Sequence, residues 1–198
     1  MDIIESLNNI TVVYHKKGEL DTAIGYYKRS LDLYETLDSP DGIAHSLNNI
    51  GLIYRYKGEL NKAVDYNQRS LVIREKLKYD PETAESLFNL IICLLDKQEQ
   101  DQAQHYLNQL LILHERTPDR NIEIYAKLAE GLIAMQSKRM KEKVKAQALL
   151  SEIADAEWRS FSVLAMFNLC DLLLVELKSF GDPEVLIEAE ILIQKIHN

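Results

Sequence analysis

The sequence predicts an all-α fold, a right-handed α-solenoid of about five antiparallel helix pairs. The first observation behind this prediction is the pentapeptide SLNNI, which occurs at residues 6–10, returns at 46–50 and takes the altered form SLFNL at 86–90. The second is the spacing of apolar residues, which recur three or four positions apart, as on one face of a helix. The third is composition, because the 198 residues include only 7 glycines and 4 prolines, fewer turn residues than an all-β chain needs.

The repeated unit is 40 residues long. Residues 6–37 and 46–77 are identical at 17 of 32 positions, and a third unit at 86–117 keeps several of the same residues in register. One such unit cannot bury its apolar face alone, so its copies are expected to stack on each other. The prediction is three regular units at residues 1–117, followed by two divergent helix pairs at 118–198 that continue the same solenoid.

Each unit is predicted to contain two helices. Leu7, Ile10 and Tyr14 form the apolar face of the first helix, and Gly18 follows its last turn, where a left-handed residue ends a helix. The second apolar face consists of Leu20, Ala23, Ile24, Tyr27 and Leu31. One alanine per unit stands where the two helices should approach closely: Ala23, Ala63 and Ala103.

The four prolines predict where helices begin. Each follows a residue suited to the N-cap position: Ser39-Pro40, Asp80-Pro81, Thr117-Pro118 and Asp182-Pro183. The turn between the helices of the third unit has two possible forms, because Gln98 replaces the glycine of the first two units. Either this turn is kept, with a left-handed glutamine that costs about 1 kcal/mol more than glycine, or the turn is reshaped.

The divergent part of the chain still shows helical spacing. Residues 122–138 and 142–155 predict a fourth helix pair, with Ala134 and Ala146 at its small positions. Residues 157–178 and 183–197 predict a fifth pair.

The pattern NNIG at residues 48–51, with Tyr54, Gly58 and Ala63 in the same unit, resembles the tetratricopeptide repeat. The 40-residue period is similar to the longer sub-type found in kinesin light chains and in many microbial arrays. The resemblance covers residues 3–117, and the divergent units are similar to the C-terminal part of some archaeal repeat proteins. The resemblance to the tetratricopeptide repeat implies a protein-binding scaffold in which the first helix of each unit lines a concave groove.

At 100° per residue, the positions opposite the core of each first helix should face this groove. The predicted binding residues are Asn8, Asn9 and Val12 in the first unit, Asn48, Asn49, Leu52 and Arg55 in the second, and Phe88, Asn89 and Ile92 in the third. An asparagine amide both donates and accepts hydrogen bonds, which suits an extended peptide backbone. The resemblance implies this role for Asn9, Asn49 and Asn89.

Two alternatives stay open for these residues. The asparagines could instead bond to the neighbouring repeat and align the stack. Phe88 and Leu95 could be covered by the fourth unit and belong to the core.

Other chemistries find little support. The histidines lack metal-ligand spacing, no phosphate-binding or nucleophile motif occurs, and no catalytic activity or cofactor is expected. Cys93 and Cys170 lie in apolar surroundings and are interpreted as small core residues. The net charge of −8 argues against nucleic-acid binding, and the basic segment 138–145 is interpreted as a solvated helix end. No apolar run is long enough for a membrane span and no signal segment is seen, so a cytoplasmic location is expected.

The function predicted from these features is a non-catalytic scaffold that binds a peptide or protein segment in the groove. The alternative is a structural or oligomerisation module, or a fragment of a larger signalling protein, with its contacts at the ends of the solenoid. Both ends of the sequence carry apolar helix faces, so a homodimer through the terminal helices is a further expectation.

Overall fold

A computed structural model describes residues 7, 14, 17–137, 139–154, 165–166, 168–173 and 183–197. These residues form helices and turns, with no strand among them, which confirms the predicted all-α class. The described residues include the helices α1 (Leu20–Thr36), α2 (Pro40–Tyr56), α3 (Leu60–Leu77), α4 (Asp80–Asp96), α5 (Gln100–Arg116), α6 (Arg120–Met135), α7 (Met140–Ala154) and α8 (Pro183–His197), and residues 165–166 and 168–173 are also helical.

Consecutive helices pack against each other from α1 through α5, and α2 also contacts α4. Since α2 and α4 are the first helices of successive repeats, the helix pairs are stacked as layers of a solenoid. The chain separates into two compact units, Met1–Ile122 and Glu123–Asn198. The candidate site described below lies within the first of them.

The close approach of the paired helices depends on small residues. Ala23, Ala63 and Ala103 are fully buried, as the repeat predicts. In the compact unit Glu123–Asn198, Ala134 of α6 and Ala146 of α7 belong to one buried cluster with Leu172. The small positions predicted for the divergent fourth pair are therefore confirmed.

The turn inside the second repeat has the left-handed geometry that its glycine predicts. Gly58 has a φ of 75°, and the backbone N–H groups of Gly58 and Glu59 donate to the carbonyls of Arg55 and Tyr54 at 2.9 Å each. These two bonds form a Schellman motif, which satisfies carbonyls that the helix end would otherwise leave unpaired.

The third turn is kept despite its glutamine. Gln98 has a φ of 63°, and the N–H groups of Gln98 and Glu99 donate to Leu95 and Leu94, again at 2.9 Å. Of the two possibilities left by the sequence, the left-handed glutamine is therefore the one observed.

The prolines predict the helix starts correctly, but not all of the predicted N-cap residues. Helices α2, α4, α6 and α8 begin at or near Pro40, Pro81, Pro118 and Pro183. Ser39 is the N-cap of α2 and Pro40 opens the helix, as predicted, although the Ser39 side chain makes no capping hydrogen bond. The N-cap of α4 is Tyr79 rather than Asp80, and it also lacks a capping bond.

Two aspartates make the side-chain hydrogen bonds at these junctions. The Asp80 carboxylate accepts hydrogen bonds from Arg116 Nη2 at 2.8 Å and from Thr117 Oγ1 at 2.6 Å, so it ties α4 to the end of α5. Asp119, rather than the predicted Thr117, caps α6, because its Oδ1 accepts from the backbone N–H groups of Asn121 at 2.8 Å and Ile122 at 3.1 Å. Asp182 lies outside the described residues.

Candidate functional site

The predicted groove face is carried by α2 and α4. We use this name for the groove positions of these two helices: His45, Asn48, Asn49, Leu52, Arg55, Tyr56, Glu85, Phe88, Asn89, Ile92, Leu95 and Asp96. On α2, four of them recur three or four positions apart and so share one stripe: His45, Asn49, Leu52 and Tyr56. His45 and Tyr56 are exposed, whereas Asn49 and Leu52 are partly buried. The predicted residues Asn8, Asn9 and Val12 lie outside the described residues.

Two asparagines of this face bond to each other. Asn89 Nδ2 donates to Asn48 Oδ1 at 3.0 Å, and the two residues are only 9% and 3% exposed. The bond joins the first helices of successive repeats. It corresponds to the alternative in which asparagines align the stack, and it leaves Asn48 with almost no surface to offer a partner.

Asn49 is placed differently from its neighbour in sequence. Its Nδ2 lies 2.8 Å from Nε2 of His45, one turn earlier on the same helix. Asn49 is only partly buried, so part of its side chain can be exposed to a partner. Asn49 and Asn89, to which the resemblance assigns the same binding role, therefore lie in different environments: Asn89 is buried and Asn49 is partly exposed.

An ion pair crosses the face beside the asparagines. Arg55 Nε donates to Asp96 Oδ2 at 2.6 Å, from α2 to α4, with the side chains 27% and 41% exposed. Ion pairs with this much exposure contribute about 0.2–1 kcal/mol. The main effect of this ion pair is on position, because it holds the Arg55 side chain between two successive repeats.

The apolar residues of the face divide into two groups. Leu52 and Ile92 are partly buried and reach the surface. Phe88 and Leu95 are 5% and 7% exposed and belong to the core. The accessible part of the predicted site in the described residues is therefore Asn49, Leu52, Arg55 and Ile92.

Sequence reasoning missed a buried polar network below this face. Arg74 of α3 is 2% exposed and its Nη1 donates to the Glu82 carbonyl at 2.7 Å and to Ser86 Oγ at 2.8 Å, with Glu85 Oε2 at 3.0 Å. A buried guanidinium is stable only when its donors are satisfied in this way. The network fixes the start of α4 against the end of α3.

The same network contains two buried serines. Ser70 Oγ donates to the Ala44 carbonyl at 2.8 Å and lies 3.3 Å from Ser86 Oγ. Serine also occurs at the equivalent positions of the preceding repeat, Ser30 and Ser46. That recurrence of a small polar residue at the repeat period was the signal that could have identified these positions.

The two cysteines are buried and unpaired. Asn67 Nδ2 donates to Cys93 Sγ at 3.6 Å, and burial raises the pKa of the Cys93 thiol to about 11. A thiol with such a pKa is protonated near neutral pH and is a poor nucleophile or metal ligand. The interpretation of Cys93 as a core residue agrees with this environment.

The described part of the chain offers neither a metal-binding cluster nor a membrane-spanning helix. Within the residues described, no group of three or more His, Cys, Asp or Glu side chains is arranged to hold a metal ion. Likewise, none of the helices described combines the length and apolar character that crossing a bilayer requires.

Comparison with known sequences identifies the repeat. A sequence model described as tetratricopeptide repeat matches residues 2–76 and, in an overlapping second match, residues 42–116. The two matches together span residues 2–116, more than half of the 198 residues. No curated protein matches the chain in sequence.

Comparison with solved structures shows the same fold. The chain is similar to the apo form of RapI, with a TM-score of 0.76 and 20% identity over 97% of this chain and 53% of that one. A Rap protein complexed with Competence and Sporulation Factor gives a TM-score of 0.76 and 15% identity over 97% and 54%. A putative kinesin light chain of P. anserina with nearly identical TPR-like repeats gives 0.62 and 13% over 98% and 93%. The chain therefore spans about half the length of the two Rap proteins.

Proposed function

The chain belongs to the tetratricopeptide repeat family, and from that premise we propose that it is a non-catalytic protein-interaction scaffold. The proposed site is the accessible part of the predicted groove face, where a peptide or protein segment would bind across α2 and α4. Since one of the similar Rap proteins is complexed with Competence and Sporulation Factor, a solenoid of this kind can hold a factor.

The observation that carries the proposal is that Asn49 and Leu52 lie next to each other on one stripe of α2. These neighbours on one stripe of α2 are both partly buried, so one site offers an amide beside an aliphatic side chain. Ile92 adds a second partly buried aliphatic residue on α4. An extended segment needs both kinds of group, since its backbone needs hydrogen-bond partners and its side chains need apolar contacts.

The binding mechanism follows from these positions. The oxygen of the Asn49 amide accepts from a backbone N–H of the bound segment, a hydrogen bond that contributes about 0.5–1.5 kcal/mol. Leu52 and Ile92 lose their remaining exposed surface against the side chains of the segment. Arg55 uses Nε for Asp96, and its terminal nitrogens, which make no hydrogen bond within the described residues, pair an acidic group.

The test is a screen of a random peptide library against the purified chain, followed by affinity measurement on selected peptides. The double variant Asn49→Ala, Leu52→Ala removes an amide and an aliphatic contact without touching the buried Asn48–Asn89 pair. We expect it to weaken binding roughly 10- to 100-fold. The matched control is Asn61→Ala, an exposed asparagine at the start of α3. Equal affinities for all three proteins would reject the groove face as the site.

A second candidate function rests on α8. Ile187 and Ile191 lie one turn apart on this helix and are 58% and 50% exposed, as expected for a helix that contacts another copy. Ile187→Glu, Ile191→Glu would then reduce the mass measured by light scattering to that of the 22.8 kDa monomer. Leu192 is buried and would be a poor choice, because a charge there would unfold the helix. A chain that is monomeric before substitution contradicts this candidate.

A further inference from the structure

Two clefts lie away from the predicted groove face, and they occupy equivalent positions in successive repeats. The first, of about 450 Å³, is lined by residues that include Glu35, Leu47, Val72 and Ile73. The second, of about 660 Å³, is lined by residues that include Glu75, Leu87, Ile112 and Leu113. Each residue of the second set stands 40 positions after its counterpart in the first. None of the groove-face residues lines either cleft.

Each cleft combines a buried floor with one exposed aliphatic side chain. Leu47 and Leu87 are almost fully buried beneath the clefts. Val72 and Ile112, on the second helices α3 and α5, are 49% and 65% exposed. Single exposed apolar residues are ordinary on protein surfaces. Two of them at equivalent positions, each beside a cleft with an apolar floor, make a repeated surface that one partner can contact twice.

The charges around the clefts indicate the chemistry of that partner. Glu35 and Glu75 are equivalent and exposed, and neither forms an ion pair within the described residues. Most lining cations are already engaged, since Arg116 bonds Asp80 at 2.8 Å and Arg69 lies 4.0 Å from Asp65 and 5.4 Å above the Tyr66 ring. Lys78 is the one lining cation that makes no such contact there. Each cleft thus offers an unpaired carboxylate next to an aliphatic residue, and the second cleft also carries the Lys78 ammonium.

We propose that these two clefts form a second docking surface, which binds a basic amphipathic segment of a protein partner. The segment runs along the second helices and places one aliphatic side chain in each cleft, against Val72 and Ile112. Its basic residues pair with Glu35 and Glu75. This surface is separate from the groove face, so the scaffold binds two partners at the same time.

The test uses two synthetic peptides, one of alternating leucine and lysine and one of alternating leucine and glutamate, with binding followed by fluorescence anisotropy. The lysine peptide is expected to bind and the glutamate peptide is not. Val72→Gln, Ile112→Gln removes both aliphatic contacts, and Glu35→Gln, Glu75→Gln removes both carboxylates. Each pair is expected to weaken binding about tenfold, and the second pair also lowers the dependence on salt. Helicity measured by circular dichroism confirms that the variants are folded.

The controls separate this surface from general attraction to an acidic chain. Val144→Gln and Glu115→Gln change exposed residues outside both clefts and are expected to leave the affinity unchanged. Asn49→Ala, Leu52→Ala is also expected to leave it unchanged, because those residues belong to the other surface. The proposal is overturned if the lysine peptide does not bind, if the glutamate peptide binds as well, or if the control variants weaken binding as much as the cleft variants.

Discussion

Asn89 donates a hydrogen bond to Asn48 and not to Asn49, although Asn49 is its equivalent in a chain with a 40-residue repeat. The bonded pair is 41 positions apart, and so are Arg55 and Asp96. Contacts between successive first helices are therefore offset by one residue from the sequence repeat. The offset decides which of two adjacent asparagines supports the stack and which is accessible.

This relationship predicts opposite consequences for two neighbouring substitutions. Asn89→Ala leaves the buried Asn48 amide without its donor, and we expect the free energy of unfolding to fall by about 1–3 kcal/mol. Asn49→Ala, the matched control, is expected to change it by less than about 0.5 kcal/mol. Urea denaturation measures both. A loss of the same size for the two variants would show that burial does not distinguish them.

The left-handed Gln98 predicts that a glycine stabilises the third turn. Gln98→Gly relieves the strain of φ 63° without removing either Schellman hydrogen bond, because both donors are backbone groups. We expect a gain of up to about 1 kcal/mol in the free energy of unfolding. Gln102→Gly, in the first turns of α5, is the control and should instead lose about 1 kcal/mol. A destabilised Gln98→Gly would mean that the Gln98 side chain supports the turn.

Gly42 and Gly25 predict opposite effects of added methyl groups. A Cβ at Gly42 would lie 2.1 Å from Cδ1 of the Tyr34 ring, whereas a Cβ at Gly25 would meet nothing within 4 Å. Gly42→Ala should therefore destabilise the chain by about 1–3 kcal/mol, and Gly25→Ala should stabilise it by about 0.5–1 kcal/mol. Thermal unfolding of the two variants is the measurement. If Gly42→Ala is as stable as the parent, the Tyr34 ring has another place to pack.

The buried thiol of Cys93 predicts a loss of stability at high pH. Its pKa rises from 9.0 to about 11 because burial disfavours the thiolate. The unfolded chain then releases its proton first, so the contribution to stability is complete below pH 9 and is lost as the pH rises toward 11. In a Cys170→Ala background, Cys93→Ala should abolish this part of the decline in urea titrations at successive pH values. An unchanged decline would assign it to other groups.

The contacts of Tyr34 and Arg74 show how far the sequence repeat reaches. These residues are equivalent, yet Tyr34 packs on Gly42 whereas Arg74 bonds the carbonyl of Glu82. The sequence shows that a connecting segment joins each repeat to the next. It does not show that the Tyr34 ring packs at one connection whereas the Arg74 guanidinium is buried at the other. Each residue depends on its partner across the link, so neither can be interpreted alone.

The sequence by itself determined the 40-residue repeat, the helix pairs of the regular units, the small alanine positions and the glycine turns at Gly18 and Gly58. These features are local, since each depends on residues within about one repeat and on the conformations that glycine, proline and alanine permit. Only the tertiary structure decided that Asn48 rather than Asn49 pairs with Asn89, that Phe88 is core, and that Val72 and Ile112 stand beside equivalent clefts. The reason is that the helix packing angle and offset between repeats select which neighbouring positions are covered, and a one-residue step turns a helical side chain by 100°.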